Sequence, residues 1–235
     1  MFKKLIFLAL MIAFTPVFAR ADILNAADSP TSRVLEYSSY NLNFRFFSGG
    51  NMQAKIDFGI FQFLTLGFSC ELDNFVGAEQ IKTAMPALFI KMLIYSGDMK
   101  MPSVALGYDG QGYFSNSQYS ADYEQDPRGV FLILGKELFF ESFMINAGLN
   151  SNSFKGDGIR FFANGSLPVI QDYFILLSEL DNIGGSKSMR INLGVRLRIS
   201  STVDADFIIR DCWADDMPGR IPNERVFKVS HTGRF

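Results

Sequence analysis

The chain has 235 residues, 48% of them hydrophobic, with 25 Phe against one Trp and one His. A single imidazole excludes a histidine-based zinc site, and two Cys are too few for a disulfide scaffold. Removing residues 1–21 takes away Lys3, Lys4 and Arg20, leaving 19 basic against 24 acidic residues, a net charge of −5 that argues against a nucleic-acid partner.

Residues 1–21 read as a secretory signal peptide: Lys3 and Lys4, an apolar run from Leu5 to Phe14, then Ala19-Arg20-Ala21 as a small-x-small cleavage site. No Cys follows closely, so a lipid anchor is not expected. Residues 22–38 are polar, contain Pro30, and read as an irregular N-terminal arm on the periplasmic side.

From Ser39 onward the chain alternates apolar and polar with a period of two, the mark of strands with one greasy face. Tyr40, Leu42, Phe44 and Phe46 oppose Asn41, Asn43 and Arg45; after the turn Ser48-Gly49-Gly50-Asn51, Met52, Ala54, Ile56 and Phe58 oppose Gln53, Lys55 and Asp57. Leu64 to Leu72 repeats the pattern. A fourth strand sets Leu88, Ile90, Met92 and Ile94 outward, with Lys91 and Tyr95 inward, and a fifth sets Val104, Leu106 and Tyr108 outward. The sixth is a weaker amphipath, because Phe131 and Ile133 fill its second face. Further strands are expected around 143–149, 159–167, 173–181, 188–199, 203–210 and 225–235.

The clearest of them is Ser188–Ile199, where Met189, Ile191, Leu193, Val195, Leu197 and Ile199 alternate with Ser188, Arg190, Asn192, Gly194, Arg196 and Arg198. That length suits a tilted bilayer-crossing strand of about 9–11 residues. Connections two, four, six, eight and ten are short and most others long, as in outer-membrane barrels with short periplasmic turns and an even strand number. The fold class expected is all-β: a single antiparallel transmembrane β-barrel of about twelve strands over residues 39–235, in the outer membrane of a Gram-negative (diderm) bacterium.

Resemblance to a family adds to this pattern. Gly59-Ile60-Phe61-Gln62-Phe63-Leu64-Thr65-Leu66-Gly67 and Pro102 to Tyr113 resemble segments of YjbH-like outer-membrane barrels. That resemblance implies a non-enzymatic envelope protein accessory to exopolysaccharide production or export, with polysaccharide or envelope proteins as partners besides outer-membrane lipid. The ending Phe227, Val229 and Phe235 resembles the terminal-strand signature recognised by the barrel-assembly machinery. The alternative function is a narrow porin for small solutes or ions; inward Gly67, Gly107, Gly135, Gly148 and Gly194 leave room for it, while Arg45 and Lys91 help to refill the lumen.

The inward charges suggest a register-pinning ladder. A turn centred on Ser201 puts Arg198 opposite Asp204 and Arg196 opposite Asp206; the preceding hairpin permits Glu179 opposite Arg190 and Asp181 opposite Ser188. Asn192, on the lumen side, is expected to accept Arg, whereas Leu193, facing lipid, is not.

Catalytic and metal chemistry find little support. An outer-membrane lipid hydrolase would need a Ser-His pair near the outer leaflet, and His231 lies near the C-terminus, at the periplasmic rim. Asp122, Glu124 and Asp126 have the spacing of a calcium loop, but Pro127 stands where an EF-hand needs Gly. Tyr113, Phe114, Tyr119 and Tyr123 read as loop packing or interface aromatics rather than a sugar platform. No catalytic residue, metal or cofactor is expected.

Overall fold

The computed structural model describes residues 23–115, 123–138, 143–152, 158–170, 173–185, 189–213 and 221–235. Twelve long strands form the wall: β1 (Ser39–Phe47), β2 (Asn51–Phe61), β3 (Leu64–Asp73), β4 (Ala87–Tyr95), β5 (Ser103–Asp109), β6 (Gly129–Glu137), β7 (Met144–Ser151), β8 (Arg160–Ile170), β9 (Phe174–Ile183), β10 (Arg190–Arg198), β11 (Val203–Arg210) and β12 (Glu224–Arg234). Each pairs antiparallel with its neighbours, and β1 pairs with both β2 and β12, so the sheet closes without an edge. Closure satisfies the backbone of every strand internally, which a sheet in hydrocarbon requires.

The two faces follow the alternation in the sequence. Phe44, Phe68, Leu88, Leu106, Leu132, Leu176, Leu193 and Phe207 are exposed on the outside, while their neighbours Arg45, Ser69, Lys91, Asn192 and Asp206 are buried inside. An apolar outside around a polar inside inverts a soluble fold and suits a wall whose solvent is lipid. Phe61, Phe63 and Phe235 lie exposed at the end where β1 begins and β12 finishes, which is the periplasmic end of such a barrel. Phe75, Phe161 and Trp213 lie exposed toward the other end. Tyr95 departs from its expected inward direction: a register irregularity between Leu93 and Tyr95 turns it out, and its hydroxyl donates to Asp98 at 2.7 Å.

The N-terminal arm does not stay outside the barrel on the periplasmic side. Residues 23–35 run up into the lumen as a narrow hairpin, fastened by Thr31 N–H to Leu24 O and Ala26 N–H to Ser29 O, both 3.0 Å, and by a bridge between Asn25 and Pro30. Its tip, Ala26-Ala27-Asp28-Ser29, reaches the upper half of the barrel; the chain then descends past Ser103 and Thr65 to enter β1. Small side chains make the insertion possible, since Ala26, Ala27, Ser29, Thr31 and Ser32 are all buried.

From the opposite end the loop between β5 and β6 also folds inward. Tyr113–Ser115 and Tyr123–Gln125 pair as a short two-stranded sheet, and Tyr113 and Phe114 pack edge-on against Phe47. The two insertions meet inside the barrel. Another short strand, Lys82–Thr83, extends the wall beside the end of β3.

Candidate functional site

The lumen wall treats the hairpin as a ligand. Its carbonyls meet cations: Lys91 Nζ donates to Leu24 O and Thr31 O at 3.2 Å each, Lys228 Nζ to Ala26 O at 3.2 Å, and Arg196 Nη2 to Asn25 O at 3.3 Å. Its N–H groups meet an anion: Asp28 and Ser29 donate to Glu179 Oε2 at 2.9 and 2.7 Å, with the Ser29 hydroxyl at 2.6 Å. Asn146 accepts from Ser32 N–H at 3.0 Å, and Asn164 donates to Ser29 Oγ and Pro30 O. Buried backbone groups are costly to leave unpaired, and here polar side chains of the wall supply what a neighbouring strand would.

At the tip, the Asp28 carboxylate sits between two guanidinium groups. Arg210 Nε lies 2.7 Å from Oδ2, and Arg45 Nη2 bonds Oδ1. The Tyr113 ring lies 4.6 Å from the Arg45 guanidinium carbon and 4.7 Å from that of Arg210, and Arg45 Nη1 donates to its hydroxyl at 2.7 Å. Burial alone would push the Asp28 carboxyl up, but Arg210 and Arg45 outweigh it and hold the group below the usual carboxylate range. Arg210 is anchored from behind, donating to Glu224 at 2.8 Å and to Gln125.

Above the tip, toward the far end, lies a cavity of about 60 Å³ lined by Arg128, Arg160, Arg190 and Arg210 together with Asp109, Asp126 and Asp181. Arg128 makes a forked pair with Asp181 at 3.1 and 3.2 Å, and Arg190 donates to Gln125. Arg160 is less committed: among the described residues its ion-pair partner, Asp126, is 4.0 Å away, and its buried Nε and Nη2 have no hydrogen-bond partner. Asn150 Oδ1, on the same wall, also has none among the described residues.

The expected ladder residues divide into two groups. Arg196 stands opposite Asp206 and Arg198 opposite Asp204. Arg196 binds Asp206 through two nitrogens at 2.7 and 2.8 Å, Lys228 adds a third contact at 2.8 Å, and Arg198 reaches Asp204 at 3.3 Å. The preceding hairpin is registered differently: Glu179 faces Asn192, and Asp181 faces Arg190. A slip of two residues keeps every side chain on its own face, so alternation cannot distinguish the two registers. Glu179 is thereby turned over to the hairpin and Asn192, while Asp181 crosses to Arg128.

Phe227, Val229 and Phe235 all face outward on or just beyond β12. His231 also faces outward near the periplasmic end, with its ring 5.8 Å from Tyr40. Tyr119, Asp122 and Ser188 lie outside the described residues. Cys70 and Cys212 are free. Asp28, Arg210, Glu224, Lys228 and Arg128 were missing from the expected site. The last four carried a weak signal, being charged residues on or next to lumen-facing positions. Asp28, in an aperiodic arm, carried none.

No family model and no curated protein matches the sequence. Solved structures do match in fold. The KdgM porin shares 11% identity over 84% of this chain and 99% of its own, with a TM-score of 0.53. The KdgM porin in complex with disordered oligogalacturonate gives 8% identity over the same shares and a TM-score of 0.52. The chain thus shares the closed, antiparallel twelve-stranded barrel fold of these outer-membrane porins. The YjbH-like assignment gains no support from these comparisons.

Proposed function

We propose that this barrel is a narrow channel selective for anionic oligosaccharides. The observation that carries the reading is the arginine-lined cavity at the far end, where two buried nitrogens of Arg160 have no partner among the described residues. Guanidinium groups bind carboxylates through paired hydrogen bonds, and a low-dielectric wall makes a free fork a strong anion receptor. Likeness of fold to a porin crystallised with oligogalacturonate, a chain of uronic acids, is consistent with that ligand class.

A second reading keeps the barrel as a non-conducting accessory of exopolysaccharide production or export. It is favoured by the occupied lumen: between the inserted hairpin and Tyr113, the cavity beside Arg45 and Lys55 is about 30 Å³. Planar-bilayer recording separates the two. On the channel reading, digalacturonate interrupts the current at concentrations where maltose does not, and Arg160→Ala weakens the interruption about tenfold. A purified barrel that carries no current, with or without digalacturonate, sinks the channel and leaves the accessory role.

A further inference from the structure

The N-terminal hairpin is held by many polar contacts and two small apolar ones, at Ile23 and Ala27, and its single carboxylate lies between two buried guanidinium groups. We propose that Arg45 and Arg210, spanned by the Tyr113 ring, form a carboxylate-binding site that Asp28 fills as a tethered internal ligand. An entering carboxylate-bearing solute takes the place of Asp28 and releases the hairpin tip. The inference rests on the acidic-saccharide reading for the identity of the solute, but not for the existence of the site.

Three observations carry it. First, the carboxylate is gripped from two separate strands: Arg45 on β1 binds one oxygen and Arg210 on β11 the other. Both guanidiniums also lie close to one aromatic ring, so the receptor is built before any ligand enters. Second, the site adjoins the way in. Asp28, Tyr113 and Arg210 line the floor of the same cavity whose upper wall carries Arg128, Arg160 and Arg190. A solute bound among those arginines is already next to the Asp28 carboxylate. Third, the other contacts of the tip are of a kind that water or a sugar can replace. Glu179 accepts from two N–H groups and a hydroxyl, while lysine and arginine nitrogens cap carbonyls. The apolar contact at the tip is Ala27 against Phe47, Ile208 and Val226, which is small for a permanent plug.

Exchange of one carboxylate for another leaves the charge of the lumen unchanged. No buried guanidinium is stranded without a counter-ion at either end of the step, which is the condition for such a step to be reversible. A neutral sugar cannot meet that condition. The hairpin therefore confers selectivity as well as closure: it withdraws for a solute that restores the charge it removes.

The test reads exposure of the tip. In full-length protein carrying Cys70→Ser and Cys212→Ser, Ala27→Cys reports through its rate of labelling by a membrane-impermeant maleimide, and Ala26→Cys supplies a second reporter on the same tip. Folding of each variant is checked by its heat-dependent migration in SDS. Digalacturonate and succinate are expected to speed labelling at least tenfold over maltose at equal ionic strength. Asp28→Asn should label at least tenfold faster without any solute and respond no further. Labelling of Asp28→Asn at the parental rate, or acceleration by neither carboxylate, overturns the inference. If digalacturonate interrupts current but leaves labelling unchanged, the acidic-saccharide reading stands and the tethered ligand falls. If succinate speeds labelling while digalacturonate neither binds nor speeds it, the saccharide is wrong and the site is kept.

Discussion

The inner wall of this barrel has two halves filled by different means. Across β4 to β8, Phe89, Ala105, Phe131, Ile133 and Phe162 pack on one another as a hydrophobic cluster, against the usual polarity of a porin lumen. Glycines make this possible: a Cβ at Gly107 or Gly148 would stand 2.4 Å from the ring of Phe131 or Phe162. On the other side, β9 to β12 with β1 present Glu179, Arg196, Asp206, Arg210, Lys228 and Arg45 to the hairpin, which also takes polar contacts from Lys91, Asn146 and Asn164 of the first side. One half is closed by side chains of the wall itself. The other is closed by a segment that is joined to the wall at only one end among the described residues and held by polar contacts together with the small apolar contacts of Ile23 and Ala27.

The largest effects should come from breaking the charged half. Asp206 is the shared counter-ion of Arg196 and Lys228, and both cations also hold hairpin carbonyls. Asp206→Ala leaves two buried positive charges uncompensated and should cost about 3–5 kcal/mol, read by urea unfolding of the barrel in micelles. A double-mutant cycle with Arg196→Ala sharpens the point. Coupling above about 0.5 kcal/mol is expected of residues in one network, and additive losses would show that the paired charges do not act together.

Breaking the apolar half should cost nearly as much stability without freeing the hairpin. Phe162→Ala empties the space beside Gly148 and should destabilise by about 3–5 kcal/mol, the usual range for a buried aromatic. Labelling of Ala27→Cys should stay at the parental rate in this background. Faster labelling would mean that the two halves of the wall are coupled, and the comparison would lose its basis.

The faces of β10 test how far alternation can be trusted. Leu193→Arg places a charge on the lipid side and should cost about 2–4 kcal/mol. Alternation alone leads to the expectation that Asn192→Arg, on the lumen side, is tolerated far better, on the premise of open space. The structure removes that premise: Asn192 is fully buried, donates to Glu179 at 2.8 Å and accepts from Asp211 N–H at 2.9 Å. Asn192→Arg should therefore be tolerated no better than Leu193→Arg, judged by the fraction of each recovered as folded barrel. Clear tolerance of Asn192→Arg would argue that the lumen is open in the membrane.

Strand number, the facing of residues and the Arg196–Asp206 pairing were legible because a period of two is imposed on every residue of a membrane strand. The pairing also needed a short turn, and residues 199–202 supplied one that fixes register. The hairpin between β9 and β10 has a longer connection, and there the register read from sequence was off by two. The lumen filling was not legible for a different reason. Residues 23–35 obey no period, and many of their contacts are with side chains far along the chain, Glu179 lying 151 positions from Asp28.

The smallest predicted effect probes where the two halves join. Gly135 on β6 faces inward beside the descending limb of the hairpin, and a Cβ there would stand 2.0 Å from Ser32 Oγ and 2.5 Å from Asn146 Oδ1. Both atoms are in use: Ser32 bonds Ser103 at 2.7 Å, and Asn146 accepts from Ser32 N–H at 3.0 Å. Gly135→Ala therefore cannot be relieved by one rotamer, and overpacking of this kind costs about 1–3 kcal/mol. The wall is hydrogen-bonded on both sides at this point, to β5 and β7, whereas the hairpin is not part of the sheet. The hairpin should yield first. Gly135→Ala is thus expected to raise labelling of Ala27→Cys severalfold while the unfolding midpoint moves little. Ser32→Gly in the same chain removes the clashing hydroxyl and should return labelling most of the way. If the midpoint falls while labelling is unchanged, the strand has moved instead, and the hairpin is as firmly built into the barrel as the aromatic half.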